Sequence, residues 1–238
     1  MFAFLAREGL RREGIFVYRL RLNGLRVAIR HRTGDVVTLG EVFHEHDYRP
    51  PPEMEHVLSS VERIVDLGAN VGLFGAFAIA RWPHAEIVAF EPDPANAAVH
   101  ERTIAANRMQ DRWRLVRAAA AAHDGTAAFV FGQVALSHLA EGDAEGQTID
   151  VPVHDVMAEL SRADLLKMDI EGGEWAILGD PRFCEAPPRA LVLEYHPWLC
   201  PGPDARAAAE SALRAAGLSM QSIWHRDDGH GMLWAWRS

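Results

Sequence analysis

The feature that most restricts how this chain can fold is the stretch of residues 65–74, VDLGANVGLF. The apolar run before the glycines is typical of a buried parallel strand. The apolar residues after the turn recur at helical spacing: Leu73, Phe74, Phe77, Ile79 and Ala80. Asn70 and Leu73 stand where the G-x-G-x-x-G cradle of dinucleotide pyrophosphates needs glycine. The stretch therefore predicts a strand-turn-helix corner for a nucleoside without a pyrophosphate, with glycines that let the backbone approach the ligand.

A second corner follows in residues 86–93, EIVAFEPD, where an apolar strand ends in a carboxylate. Glu91 lies 25 residues after Asp66, about one strand-helix-strand unit further on, where a carboxylate can accept both hydroxyls of a ribose. The order D-x-G-x-N-x-G and then E-P-D resembles the S-adenosylmethionine (SAM) site of Rossmann-like methyltransferases. That resemblance implies a cofactor site made of Asp66, Gly68, Asn70, Gly72 and Glu91.

The amino-acid composition restricts the class of protein only a little. The chain has 238 residues, of which 49% are hydrophobic and 24% charged, which suits a globular protein with a substantial core. No apolar run approaches the roughly 20 residues that span a bilayer, and Arg7 and Glu8 come too early for a secretory signal. Cys184 and Cys200 lack the spacing of a zinc or redox pair. We expect a cytoplasmic protein with reduced cysteines and no membrane partner.

Charge argues against a nucleic-acid partner, because the net charge is -9. The first 32 residues nevertheless hold eight arginines. Residues 15–22 and 25–31 predict a β-hairpin turned by Asn23-Gly24, with Arg19 and Arg21 on one face. We interpret that face as solvated, while an RNA methyltransferase that uses this hairpin remains the alternative.

The rest of the chain predicts an α/β fold of the Rossmann-like, doubly wound type with a mostly parallel sheet. The predicted strands and helices alternate at residues 63–67, 72–82, 86–90, 94–107, 113–117, 165–169, from 174, 190–195 and 204–216. A C-terminal antiparallel hairpin of residues 218–224 and 232–237 follows. We divide the chain into an N-terminal helix and hairpin extension packed on the core, residues 1–50, and a methyltransferase domain, residues 51–238.

The connecting segments give weaker signals. The segment after the N-terminal hairpin, through residues 49–52, is predicted to be irregular, and residues 54–60 predict a helix. Residues 118–122 and 127–131 indicate a hairpin around the turn at 123–126. Residues 141–147 indicate a polar, mobile loop.

The most specific motif lies at residues 167–174, KMDIEGGE. The blocks D-L-G-A-N-x-G, F-E-P-D-P and K-x-D-I-E-G-x-E, with V-F near Phe43 and a tyrosine at Tyr48, resemble the FkbM family of SAM-dependent methyltransferases from about residue 35 to 195. The resemblance implies O-methylation of a hydroxyl on a sugar, a polyketide or another small secondary metabolite. Relatives often have T-L-D where residues 153–156 are VHDV. We expect this loop to help define the substrate, so the substrate of a relative does not transfer to this chain.

The requirements of methyl transfer indicate which roles the motif residues can have. The acceptor oxygen must lie about 3 to 3.5 Å from the methyl group and in line with it. A nearby carboxylate or histidine then takes the hydroxyl proton. The candidate catalytic residues are Asp169, Glu171, His138 and His196, with Asp169 also a candidate cofactor contact. The identity of the base stays open, as does methylation of nitrogen or of a carboxylate, and Lys167 is expected to form a structural ion pair with the acidic residues.

Two histidine clusters, residues 44–47 and 225–230, contain donors that suit a metal, but neither has a second pair at ligand spacing. The sequence therefore predicts no metal site. Metal assistance through Asp169 and Glu171 remains open. The helix at 204–216 and the N-terminal hairpin are both candidates for a homodimer contact.

Overall fold

Strands and helices alternate along the computed structural model, which describes residues 14–21, 23–45, 48–130 and 148–237. The strands are β1 (Ile15–Arg19), β2 (Arg26–Arg30), β3 (Arg63–Leu67), β4 (Glu86–Phe90), β5 (Trp113–Val116), β6 (Ala119–Ala121), β7 (Gly125–Val130), β8 (Thr148–Asp155), β9 (Leu165–Met168), β10 (Ala190–Tyr195), β11 (Ser219–His225) and β12 (Gly231–Trp236). The α-helices are α1 (Asp35–Gly40), α2 (Leu73–Arg81), α3 (Pro94–Asn107), α4 (Met157–Leu160), α5 (Glu174–Leu178), α6 (Pro181–Glu185) and α7 (Ala205–Ala215). None of the helices in the described ranges is both long and apolar enough to cross a bilayer.

The central sheet has seven strands in the order β11-β12-β10-β9-β3-β4-β5. Neighbouring strands are parallel from β10 to β5, and β12 runs antiparallel to both β10 and β11. The predicted Rossmann-like fold with a C-terminal antiparallel hairpin is therefore confirmed. The chain order reverses between β3 and β9, which is where open sheets of this kind bind ligands.

The parallel strands are buried on both faces, as their continuous apolar sequences predict. Ile64 on β3 packs with Ile79 and Trp82 on one side of the sheet. The next residue, Val65, packs on the other side in the cluster that contains Leu178 and Leu213. Helices cover both faces of the sheet and leave the carboxyl ends of the strands as the place for a site.

The predicted N-terminal hairpin is present, with β1 and β2 antiparallel and their turn closed by a hydrogen bond from Leu20 N to Leu25 O of 2.7 Å. Strand β2 lies against α3, where Ala28 N donates to Thr103 Oγ1 (2.9 Å). Arg30 binds Asp35 through two nitrogens at 2.7 and 3.0 Å. The hairpin thus fixes the start of α1 beside the core.

The predicted hairpin between residues 118–122 and 127–131 is wrong. Strands β6 and β7 exist, but β8 lies between them, parallel to β6 and antiparallel to β7. Residues 153–155, interpreted as part of a loop, belong to β8. The reason is physical: β8 pairs along both edges and buries Val151 and Val153 with Phe129, which a two-stranded hairpin would leave exposed.

The segment before the first core strand also differs from its prediction. The helix expected at 54–60 is a short 3-10 turn (Pro52–Met54) followed by further turns. Helix α1 and a π-helical turn (Glu41–Glu45) occupy part of the stretch that was predicted to be irregular. Apolar periodicity is weak in both stretches, so their conformation depends on packing against the core.

Candidate active site

The loop from β3 to α2 is held against the ends of two neighbouring strands. Gly68 N and Ala69 N both donate to Phe90 O, at 3.1 and 2.9 Å, which joins the loop to the end of β4. Gly68 has a φ of +73°, and a side chain there would collide with the backbone oxygen of Asp169. Gly68 was predicted to let the backbone approach a ligand. In the structure, its lack of a side chain lets the loop contact the end of β9.

Glu91 closes β4 and caps this loop. Its carboxylate accepts from Asn70 N (2.7 Å) and from Asp93 N (2.8 Å) through different oxygens. Burial raises the pKa of Glu91 to about 7, although the two backbone hydrogen bonds oppose that rise. Each oxygen keeps a second lone pair for a ligand hydroxyl.

Lys167 is buried next to the loop that follows β3 and binds the backbone of this loop. Its Nζ donates to Gly68 O (2.6 Å) and Leu67 O (3.1 Å), and it lies 3.6 Å from Asp66 Oδ1 and 3.3 Å from Asp169 Oδ2. Burial lowers the pKa of Lys167, but the charges of Asp169 and Asp66 more than offset this and raise it. The predicted structural ion pair of Lys167 with Asp169 is confirmed, and the second acidic partner is Asp66 instead of the predicted Glu171.

Asp66 is fully buried, and neither carboxylate oxygen has a hydrogen-bond partner among the described residues. Burial raises its pKa to about 6, against the opposing charge of Lys167. Asp66 therefore lies behind the wall of the site and acts on it through Lys167.

Three carboxylates gather at the ends of β9 and β10. Asp169 follows β9, Glu171 comes two residues later with a φ of +53°, and Glu194 lies near the end of β10. Burial and the charge of Asp169 raise the pKa of Glu171 and the pKa of Glu194 to about 8 each. A left-handed conformation in a residue other than glycine is strained, and such strain is typical of functional sites.

His196 lies next to these carboxylates, one residue after β10. Its Nδ1 is 2.9 Å from Glu174 Oε1, and its Nε2 is 3.4 Å from Glu171 Oε2. Burial lowers the pKa of His196, but the hydrogen bond to Glu174 and the charges around it prevail and raise it to about 9. The structure thus brings His196 to the predicted acidic residues.

The loop after β3, Glu91, Lys167, the three carboxylates and His196 border one cavity of about 720 Å³ at the carboxyl ends of the strands. Of the sequence-predicted site residues, the cavity is lined by Gly68, Asn70, Glu91, Asp169, Glu171 and His196. Asp66 and Gly72 lie behind its wall. His138 lies outside the described residues. One continuous cavity of this size suits a nucleoside together with a small second ligand.

Other lining residues were not proposed from the sequence. Trp198, Trp224 and His230 form an aromatic wall beyond His196, with the rings of Trp198 and His230 4.6 Å apart. Arg30 and Asp35 border the opposite end. No local signal marks these residues, because they come from separate turns that meet only in the folded chain.

Asp169, Glu171 and His196 have one donor atom each within 4.8 Å of one another, a spacing that a metal ion could use. However, Lys167 already supplies a positive charge 3.3 Å from Asp169. An ammonium group so close opposes a second cation by charge repulsion. The spacing alone therefore does not define a metal centre.

The sheet order, the antiparallel strand next to one edge and a carboxylate-rich cavity at the switch point define the class of Rossmann-like methyltransferase folds. A crystal structure of methyltransferase FkbM from Methylobacillus flagellatus is similar, with a TM-score of 0.52 and 17% identity over 74% of this chain and 44% of that one. At this identity, the similarity supports the fold.

Residues 66–211, well over half of the chain, match the family described as the methyltransferase FkbM domain. The chain belongs to this family, which confirms the resemblance inferred from its motifs. It is also 28% identical over 174 residues to methyltransferase sdnD of Sordaria araneosa, an alignment covering 58% of this chain and 65% of that relative. The chain thus spans less than two thirds of the relative and less than half of the bacterial structure.

Proposed function

We propose that this protein is a SAM-dependent methyltransferase that transfers a methyl group to a hydroxyl oxygen of a small molecule. The observation that carries the proposal is the single cavity that joins the Gly68 loop and Glu91 to the cluster of Asp169, Glu171 and His196. One end suits a nucleoside, and the other suits a proton-donating acceptor. Family membership supports methyl transfer as the reaction.

The donor groups at the loop end fit this cofactor. Glu91 keeps lone pairs for the ribose hydroxyls, and Asp169 offers a carboxylate for the ammonium of the methionine part. SAM would supply an electrophilic methyl group on a sulfonium. Carboxylates suit hydroxyl and ammonium groups and disfavour phosphates, in agreement with a cofactor that has no pyrophosphate.

At the acceptor end, the chain contributes position and proton transfer. Glu171 and His196 border the cavity with their polar atoms 3.4 Å apart, so a hydroxyl in front of them can donate its proton to either as its oxygen is methylated. Trp198 and His230 border this end and offer flat ring surfaces to an organic acceptor. Most of the rate enhancement would come from alignment of the two ligands.

The alternatives are weaker. For an RNA substrate, phosphates would have to approach Asp169, Glu171 and Glu194, three carboxylates that line the cavity. Methylation of nitrogen or of a carboxyl group uses the same geometry and is decided by product identity. By resemblance to the family we place the acceptor among hydroxylated secondary metabolites. The two free cysteines, Cys184 and Cys200, agree with a reducing cytoplasm.

The proposed division of the chain, residues 1–50 as an extension and 51–238 as the catalytic domain, gives the extension a part in the site. Arg30 and Asp35 of the extension line the cavity near Glu91. Removal of residues 1–50 should therefore weaken cofactor binding as well as stability.

Calorimetry with SAM and with its demethylated product, S-adenosylhomocysteine, tests the cofactor. We expect binding by the parent protein and at least about tenfold weaker binding by Glu91→Ala, because hydrogen bonds to a charged group are lost. The matched control is Glu101→Ala, which removes an exposed carboxylate paired with Arg117 on the surface of α3. Absence of binding by the parent protein would refute the proposal.

The acceptor is found with SAM that carries a trideuterated methyl group. Sugars, phenols and hydroxylated polyketides are incubated with the protein, and mass spectrometry detects transfer of the labelled group. Fragmentation then shows whether oxygen, nitrogen or a carboxyl group is methylated. Products labelled only on nitrogen would overturn the assignment to hydroxyl groups while leaving methyl transfer intact.

A further inference from the structure

Glu174, the first residue of α5, is a fully buried carboxylate that the proposed reaction does not yet use. Its Oε2 accepts from Gly172 N (2.9 Å). Its Oε1 accepts from His196 N (2.8 Å) and lies 2.9 Å from His196 Nδ1. A buried carboxylate needs such partners, and two of the three belong to one histidine.

These contacts determine which nitrogen of His196 carries the proton. Because Glu174 accepts from two backbone N–H groups, it faces the imidazole as an acceptor, and Nδ1 must donate. In the neutral ring, the lone pair is then on Nε2. This atom lies 3.4 Å from Glu171 Oε2, and both residues line the cavity.

The backbone around His196 is held as firmly as its ring. Trp175 Nε1 donates to both His196 O and Trp198 O, at 3.1 Å each. The rings of Trp198 and His230 lie 4.8 and 5.2 Å from the imidazole. The imidazole is therefore fixed between a carboxylate and two aromatic rings.

We propose that Glu174 is a positioning residue for methyl transfer, which holds His196 in the Nδ1–H form and directs Nε2 at the acceptor hydroxyl. This inference rests on the proposed function. As the acceptor oxygen forms its bond to the methyl carbon, the carbon–sulfur bond breaks and its electron pair stays on sulfur. The hydroxyl proton moves to Nε2, and Glu174 stabilises the resulting imidazolium, as a carboxylate does behind a catalytic histidine.

The charges around His196 set the pH range in which it can accept a proton. Glu174 on α5, Glu171 and Asp169 after β9, and Glu194 on β10 are carboxylates that favour the protonated ring. His230, from the turn before β12, is the other titratable ring in contact, and Lys167 lies behind Asp169. Burial opposes protonation, yet the hydrogen bond to Glu174 and the surrounding carboxylates raise the pKa of His196 to about 9. His196 is therefore mostly protonated at neutral pH, and the share of the protein in which Nε2 can accept the hydroxyl proton grows as pH rises towards 9.

The test is nitrogen NMR of the ¹⁵N-histidine protein saturated with S-adenosylhomocysteine, for the parent and for Glu174→Gln. We expect the Nδ1–H form of His196 in the neutral ring of the parent. In Glu174→Gln that preference should be lost, and the pKa should fall by roughly one to two pH units, because a charged hydrogen bond is removed. Glu210→Gln on the exposed face of α7 is the matched control and should leave His196 unchanged.

Activity with an acceptor from the labelled-methyl experiment gives the second readout. Above the pKa of His196, where the ring is neutral in both proteins, Glu174→Gln should lower kcat by about 10²- to 10⁴-fold while cofactor affinity changes by less than about twofold. The acid limb of the pH profile should move to lower pH. His196→Gln should cost about as much, and the double variant little more, because the two residues act as one unit.

The outcomes separate the two proposals. If the parent protein does not bind S-adenosylhomocysteine, the proposed function fails and this inference fails with it. If it binds but His196 carries its proton on Nε2, or titrates identically in Glu174→Gln, only the role of Glu174 is refuted. The parent spectrum alone decides the tautomer, so the inference stays testable even if Glu174→Gln does not fold.

Discussion

Lys167 is the only lysine among 24 basic residues, and its position explains why arginine would not serve. Its ammonium lies within hydrogen-bond reach of two backbone carbonyls and within 3.6 Å of both Asp66 and Asp169. A compact point charge fits among these four groups, whereas a planar guanidinium is wider and has fixed donor directions. At the scale of one residue, Lys167 neutralises the buried acids on which the loop rests.

Lys167→Met keeps most of the volume and removes the charge. We expect the free energy of unfolding at neutral pH to fall by about 3–5 kcal/mol, because the buried Asp66 and the partly exposed Asp169 lose their counter-charge. The loss should shrink as pH falls towards about 5, since protonation then neutralises Asp66, whose pKa is raised by burial to about 6. Urea unfolding at several pH values measures both effects.

Arg206→Met is the control for loss of one basic residue. Arg206 pairs with Glu210 on the exposed surface of α7, and such pairs contribute no more than about 1 kcal/mol. Equal stability of the Lys167 and Arg206 variants would show that the buried network does not depend on the lysine.

At the scale of elements, the sequence predicted the strands and helices whose ends are determined by neighbouring residues. Strands β3, β4 and β10 and helix α3 have the predicted bounds. Helix α3 begins where Asp93 caps it, with Asp93 Oδ1 accepting from Ala95 N at 2.7 Å, and proline occupies its first turn. Apolar runs bounded by glycine, proline and a cap are sufficient for such elements.

Long-range pairing could not be predicted in this way. The turn at residues 123–126 suggests that β6 and β7 pair with each other. Instead β8, which follows β7 after residues 131–147, lies between these two strands and pairs with both. The contact of Glu174 is a second example. Glu174 is part of the motif, but its partner, His196, lies 22 residues further along the chain, so the sequence did not predict their pairing. The candidate cofactor residues could be proposed because their spacing is local, and Gly68, Asn70 and Glu91 among them line the cavity. The aromatic wall at the acceptor end could not be proposed in this way.

Gly68→Ala tests the junction between β3 and α2. The new methyl group would meet the backbone oxygen of Asp169 at a φ of +73°. We expect a loss of roughly 2–4 kcal/mol in the free energy of unfolding, with weaker cofactor binding, because the loop must move away from β9. Chemical unfolding and calorimetry measure the two effects.

The chain offers a close control in Gly217, just beyond α7. It has the same φ of +73°, but no heavy atom lies within 4 Å of the position of an added methyl group. Gly217→Ala should therefore show only the conformational cost of about 1–2 kcal/mol and leave cofactor binding unchanged. If the two variants lose the same stability, the contact with β9 has no energetic weight.

At the scale of the whole molecule, the fold concentrates buried acids at one edge of its sheet. Burial raises the pKa of Asp66 to about 6 and that of Glu91 to about 7. A raised folded-state pKa means that the folded chain binds the proton more tightly than the unfolded chain does. These acids therefore add stability at low pH and lose it as pH rises through the folded pKa. His100 acts oppositely, since burial lowers its pKa to about 3, so its contribution is lost as pH falls.

Glu91→Gln isolates one of these contributions, because glutamine cannot ionise. In the parent protein without cofactor, Glu91 should lower the free energy of unfolding as pH rises from about 4.5 to about 7, by up to about 3 kcal/mol for the shift in its pKa. The difference between parent and variant should therefore change by that amount across this range, measured by urea unfolding. Glu210→Gln provides the contrast, because its salt bridges lower the pKa of Glu210 and place its effect below about pH 4.5. A parent–Glu91→Gln difference that stays constant with pH would mean that the carboxylate is ionised in the free protein, ready to accept ribose hydroxyls without first losing a proton.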